Sequence, residues 1–211
     1  MAKTILFQGD SITDCGRVRD DNPQLYAQLG WGYAAHVASR LLADGLDPEL
    51  RFINRGISGN RTPDLYARWK IDALNHEPDL MSILIGVNDT WHEFYNRNGV
   101  EVERAARILD EIIQWTRRVL PSCRILRMEP FVFPIGVANE AWLEEVKLRA
   151  IEVRKIAARY NLGFLPLQER LEMAARTAGS PEYILSDGVH PTLAGHQIIA
   201  DAWLEAAAPR L

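Results

Sequence analysis

The sequence is poor in cysteine, in long apolar runs and in excess charge of either sign. Cys15 and Cys123 are the two cysteines among 211 residues. With no Cys-x-x-Cys and no Cys/His pairing at ligand spacing, they argue against a disulfide framework and a zinc site, and both are expected as reduced thiols. A chain of this length buries roughly 70% of the surface its unfolded form exposes, so it needs neither staple. No stretch approaches the ~20 apolar residues of a membrane span, and the apolar run ahead of Asp10 is too short for a signal peptide. A cytoplasmic protein meeting soluble, small substrates is the expectation. The net charge of -4 comes with arginines scattered among acids and aromatics that do not alternate with Lys or Arg. That pattern offers no stripe for a phosphate backbone and argues against nucleic acid as a partner. There is no internal repeat and no low-complexity linker, so a single domain over residues 1–211 is expected.

What is present is an alternation. Runs rich in Ile, Leu, Val and Phe recur at 4–8, 50–54, 80–85, 124–128 and 162–166, with helical periodicity between them. Ala34, Val37, Ala38, Leu41 and Leu42 share one helical face, as do Val102, Ala105, Leu109, Ile112 and Val119, and then Leu143, Val146, Ala150, Val153 and Ala157. Each predicted helix therefore has one stripe to lay on a sheet. The continuously apolar run at 80–85 suits a parallel sheet covered on both faces, so the fold class is α/β. Residues 12–30, 87–99, 130–139 and 178–191 read as long loops. If the strand order is 2-1-3-4-5, the order reverses between the strands that end near Ser11 and Asn88, where ligands of open parallel sheets bind.

Chemistry-bearing residues converge on that point. Ser11, in Gly9-Asp10-Ser11, follows the first strand and is the candidate nucleophile. An alcohol needs a base and a group that orients the base. His190 and Asp187, three positions apart just before the last predicted helix from Thr192 to about Ala206, supply both. Asp89 and His92 repeat the spacing, and Ser58 is a rival serine, but no Gly-x-Ser-x-Gly surrounds any serine. Negative charge on a tetrahedral intermediate needs preorganised donors. The backbone N–H of Ser11, the backbone N–H of Gly59 and the side-chain amide of Asn88 are the candidates. His36, His76 and His196 are expected to be helix or loop residues without a part in this chemistry.

The four blocks, Gly9-Asp10-Ser11, Gly56-Ile57-Ser58-Gly59-Asn60, Gly86-Val87-Asn88-Asp89 and Asp187-Gly188-Val189-His190, occur in the order that resembles the SGNH (GDSL-type) hydrolases. The longer stretches around them are similar to the bacterial intracellular acetylxylan esterases. The resemblance implies a flavodoxin-like, three-layer α/β/α sandwich with a five-stranded parallel sheet, and ester hydrolysis through an acyl-enzyme with no metal or organic cofactor. It also implies Trp91 as a substrate-binding residue, a small acetylated carbohydrate as substrate, and a homo-oligomer. One position departs: Ser186 stands before Asp187 where those esterases carry an aromatic residue, so the sugar-facing wall is expected to differ. The rival readings are a thioesterase or lysophospholipase on the same scaffold, a metal-dependent phosphoesterase using Asp10, Asp14, Asn88 and His190, and a carbohydrate-binding protein without activity.

Overall fold

The computed structural model describes residues 4–19, 24–45 and 49–207; the remainder of the expected 12–30 loop, at 20–23, lies outside them. Five strands, β1 (Thr4–Gly9), β2 (Arg51–Asn54), β3 (Leu80–Leu84), β4 (Arg124–Met128) and β5 (Gly163–Leu165), pair in parallel in the order 2-1-3-4-5. Helices α1 (Ser11–Asp14), α2 (Leu25–Leu29) and α3 (Tyr33–Gly45) precede β2, and α4 (Thr62–Ala67) and α5 (Trp69–Asp72) precede β3. Then α6 (Val87–Asn96) and α7 (Val102–Val119) lead to β4, α8 (Glu140–Arg159) to β5, and α9 (Gln168–Ala178) and α10 (Leu193–Ala207) follow β5. No helix among the described residues is long and apolar enough to cross a membrane.

Every residue of β1 and β3 is buried, as strands with helices on both faces must be. Alternation of side chains then sorts the core into two halves. Phe7, Leu84 and Met128 meet Val37, Leu171 and Trp203 from α3, α9 and α10. Leu6, Ile83 and Ile125 meet Trp69, Leu109 and Ile112 from α5 and α7. The three-layer sandwich with flavodoxin-like strand order is thus the fold adopted.

Three expectations are corrected. The 12–30 segment carries the short helices α1 and α2 rather than loop alone. Residues 87–99 are mostly helix α6 rather than loop: Val87, Trp91, Phe94 and Tyr95 recur at helical spacing, but polar and charged residues crowd between them and the buried residues, Val87 to Thr90, all fall in the first turn. Val119, expected on the buried face of α7, is 48% exposed. The deepest contact near that end of α7 is polar: Thr116 Oγ1 accepts from Trp69 Nε1 at 2.9 Å and donates to the Ile112 carbonyl at 2.8 Å.

Arg127 is an anomaly in this core. It lies between Ile83 of β3 and Phe164 of β5 in register, is fully buried, and none of its guanidinium nitrogens meets an acceptor among the described residues. Burial pushes its pKa down to about 10. An unpaired buried cation opposes folding, and an apolar leucine carries no such desolvation cost. Arg127→Leu is therefore expected to stabilise the protein by on the order of 2 kcal/mol in urea unfolding. A lower unfolding midpoint in the variant would mean that the guanidinium has compensation of its own.

Candidate active site

The strand order reverses between β1 and β3, and the segments leaving their carboxyl ends build the site. Gly9 ends β1 where a Cβ would lie 2.3 Å from both the Leu84 carbonyl oxygen and Thr13 Oγ1, so the absence of a side chain lets the turn press against β3. Asp10 caps α1, its Oδ1 accepting from the Ile12 amide at 3.0 Å, and Ser11 is the first residue of that short helix. Ser11 Oγ lies 2.9 Å from His190 Nε2, and His190 Nδ1 lies 2.7 Å from Asp187 Oδ2. The other Asp187 oxygen accepts from the amides of Val189, at 2.9 Å, and His190, at 2.7 Å. Burial by itself would raise Asp187, but these bonds from the His190 amide and ring and the Val189 amide outweigh it and hold the carboxyl below its ordinary value. An ionised carboxylate only accepts, so Nδ1 carries the imidazole proton and Nε2 is left to accept from the Ser11 hydroxyl.

The turn bearing Asp187 and His190 is fastened from two sides. Phe133 N donates to the Gly188 carbonyl at 2.8 Å and Val137 N to the Asp187 carbonyl at 3.0 Å. Ser186 donates to the His190 carbonyl from its amide at 2.9 Å and its hydroxyl at 3.2 Å, so the residue that departs from the aromatic pattern has a local task.

The candidate donors differ in how they are committed. Gly59 has φ +80 with nothing within 4 Å of a Cβ placed on it, so it is the backbone conformation, not crowding, that favours glycine. No hydrogen bond occupies the Gly59 or Ser11 amide among the described residues. Asn88 Nδ2 spends one hydrogen on the Asn60 carbonyl at 3.1 Å, which orients the amide and leaves its second hydrogen free. Ser58, the rival serine, is committed elsewhere: its amide and hydroxyl both donate to Asp14 Oδ2 at 2.9 Å.

The profile of the GDSL-like lipase/acylhydrolase family matches residues 7–198. The chain belongs to that family. An acetylxylan esterase of Geobacillus stearothermophilus is 34% identical over 204 residues, 95% of this chain and 91% of the relative. The structure of a variant of an acetylxylan esterase from that organism superposes with a TM-score of 0.87 at 34% identity, covering 97% of this chain and 94% of the other. A protein of Parabacteroides merdae named a GDSL-like lipase superposes with a TM-score of 0.93 at 38% identity, over 98% and 96% of the two chains.

On this GDSL-type scaffold the Trp91 ring lies beside the relay, its centroid 5.7 Å from that of His190. Its setting was not legible in the sequence. Trp142 of α8 meets Trp91 edge-on at 5.4 Å, and Phe94 lies 5.6 Å from Trp142, so a row of rings leads outward from the imidazole along α6. The second Asp-x-x-His pattern is separate: Asp89 is buried and accepts from the Thr62 amide and hydroxyl. His36, His76 and His196 do lie in helical segments. His196 is packed against Cys15 Sγ at 3.1 Å, and burial, helped by the charges of His36 and His190, pushes its pKa down to about 3. No group of three or more His, Cys, Asp or Glu side chains among the described residues is arranged to hold a metal ion.

Asp10 carries a pH signature. It is 1% exposed, and its Oδ2 has no partner among the described residues. Burial is the main cause that pushes its pKa from 3.8 up to about 7, against the Ile12 amide and the charge of His190, which lower it. Between those two values the native state holds a proton that the unfolded chain has lost. Stability from this group therefore falls as pH rises from 4 to 7, and the penalty is full above 7. Asparagine also caps helices. Asp10→Asn is expected to raise stability at pH 8, by at most about 4 kcal/mol, with the gain vanishing towards pH 4. Denaturant melts at the two pH values test this, and a gain equal at both would rule it out.

Proposed function

We propose that this protein is a serine esterase that removes acetyl groups from small carbohydrates, xylo-oligosaccharides in particular. The observation that carries the reading is the hydrogen-bonded line from Ser11 through His190 to Asp187. Ser11 attacks the ester carbonyl while His190 takes its proton, and Asp187 holds the imidazole in the tautomer that can accept it. The amides of Ser11 and Gly59 and the side chain of Asn88 stabilise the oxyanion of the tetrahedral intermediate. His190 then gives the proton to the departing sugar oxygen, which leaves as the hydroxyl, and water, activated by His190 in turn, attacks the acyl-enzyme and releases acetate with Ser11 reprotonated.

The substrate class is supported by the 34% identity to an acetylxylan esterase over 95% of the chain. Of the Geobacillus enzyme, forms with a serine, an aspartate or a histidine replaced by alanine are described as catalytic mutants. The reading assigns Trp91 to the wall that receives the sugar, one domain over residues 1–211, a cytoplasmic setting and no cofactor. It extends to a homo-oligomer, for which the exposed side chains of Trp31, Tyr183 and Leu193 offer apolar surface.

The test is a series of aryl esters from acetate to octanoate, followed by acetylated xylo-oligosaccharides. The expected result is a steep fall in kcat/KM with chain length and release of acetate from the oligosaccharides. Preference for octanoate would transfer the same relay to thioester or lysophospholipid cleavage.

A further inference from the structure

One charged feature is left over by this chemistry. At the carboxyl end of the edge strand β2, Arg17, Arg19 and Arg55 line a cleft of about 150 Å³ whose other walls include Gln28, Ile53 and Asn54, and no carboxylate among the described residues lines it. Arg17 is only 9% exposed, and its Nε donates to the Gly56 carbonyl at 2.8 Å. Arg55 Nε donates to His76 Nε2 at 3.1 Å. The terminal nitrogens of Arg17 and Arg55 make no hydrogen bond or ion pair among the described residues, whereas Arg19 is paired with Asp14 at 2.6 Å. Burial lowers the pKa of Arg17 against the charge of Asp14, and the charges of Arg19 and Arg55 lower it further while that of Asp72 raises it. Like charges are thus gathered around one small concavity, and two of the guanidinium groups keep free donor edges there.

We propose that this cleft is a carboxylate-binding subsite. A guanidinium edge is a planar fork that matches a carboxylate with two parallel hydrogen bonds, and the cleft has room for a group of that size. Its position ties it to the site already described. Arg17 holds the Gly56 carbonyl, and Asp14 joins Arg19 to the amide and hydroxyl of Ser58. The subsite therefore shares a loop with Gly59. The carboxylate has two sources, a uronic acid carried on the sugar chain or a free carboxylate such as released acetate; the first rests on the carbohydrate reading above.

Calorimetry with sodium glucuronate at constant ionic strength, on the wild type and Arg55→Gln, tests the cleft without any turnover. The expected result is binding to the wild type that weakens about tenfold in the variant, with Arg55→Lys, which keeps charge but not the fork, in between. Arg19→Gln serves as a second variant should Arg55→Gln fail to fold. Rates on acetylated xylo-oligosaccharides with and without a uronic acid substituent then assign the source. A preference for the acidic substrate that shrinks in Arg55→Gln places the carboxylate on the sugar chain, and acetate displacing glucuronate without any such preference makes it the free anion. No binding of glucuronate or acetate, or binding indifferent to Arg55, overturns the proposal. A protein that binds glucuronate yet releases no acetate from sugars leaves the cleft standing and removes the carbohydrate esterase reading instead.

Discussion

Ser11→Ala is expected to lower kcat/KM on an aryl acetate by at least about 10⁴-fold while leaving the thermal melt unchanged. The first half follows from the relay: without Oγ the imidazole has no alcohol to activate, and only the oxyanion donors and binding remain. The second half follows from local structure. Ser11 occupies the first position of α1, where Asp10 and not Ser11 supplies the cap, and alanine is favourable in a helix. Ser58 cannot take over, because its hydroxyl is bonded to Asp14 rather than to an imidazole. Activity within tenfold of the wild type, measured on variant protein purified away from host esterases, would remove Ser11 from the mechanism.

Asp187→Asn is expected to cost about as much, on the order of 10⁴-fold in kcat, although it deletes no atom in contact with substrate. A carboxylate can only accept from His190 Nδ1. An amide can present its N–H₂ to that nitrogen instead, which moves the ring proton to Nε2 and leaves nothing to accept from Ser11. The pH dependence separates this role from a structural one. The carboxyl of Asp187 is held below its ordinary value in the folded state, so it stays ionised across the neutral range. The stability it contributes is present above the unfolded carboxylate value near 3.8 and is lost only as pH falls through its lower folded value. Loss of activity between pH 5 and 8 then belongs to other groups, and stability of the asparagine variant should differ from wild type alike at pH 6 and pH 8. An asparagine variant within tenfold of wild-type kcat would show that Asp187 does not govern the tautomer.

The candidate site was marked more sharply in the sequence than parts of the fold around it. Gly9 to Ser11, Gly59, Asn88 and the Asp187 to His190 turn sit in short segments where the backbone conformation and the chemistry both restrict the residue, so each leaves a local mark. The strand Leu80–Leu84 is equally readable, since burial on both faces forces an unbroken apolar run. Helix α6 is less so, because its fully buried residues are confined to the first turn and, beyond the half-buried Trp91, its Phe94 and Tyr95 are exposed. Trp142 joins that aromatic row from a distant helix, and Arg17, Arg19 and Arg55 meet only because β2 pairs beside β1. Neither grouping has a spacing that a reader of the chain could recognise, since both are created by tertiary packing between remote segments.

The contact between Ser11 and His190 spans 179 positions of the chain. On the proposed reading the serine precedes its base by that span, so a growing chain holds the serine well before it holds the means to use it. Hydrolysis by that pair is then expected only after the turn before α10 has docked beside β1. Recovery of esterase activity during refolding is therefore a clock for the last long-range step of assembly, one that spectroscopic signals from the helices would run ahead of.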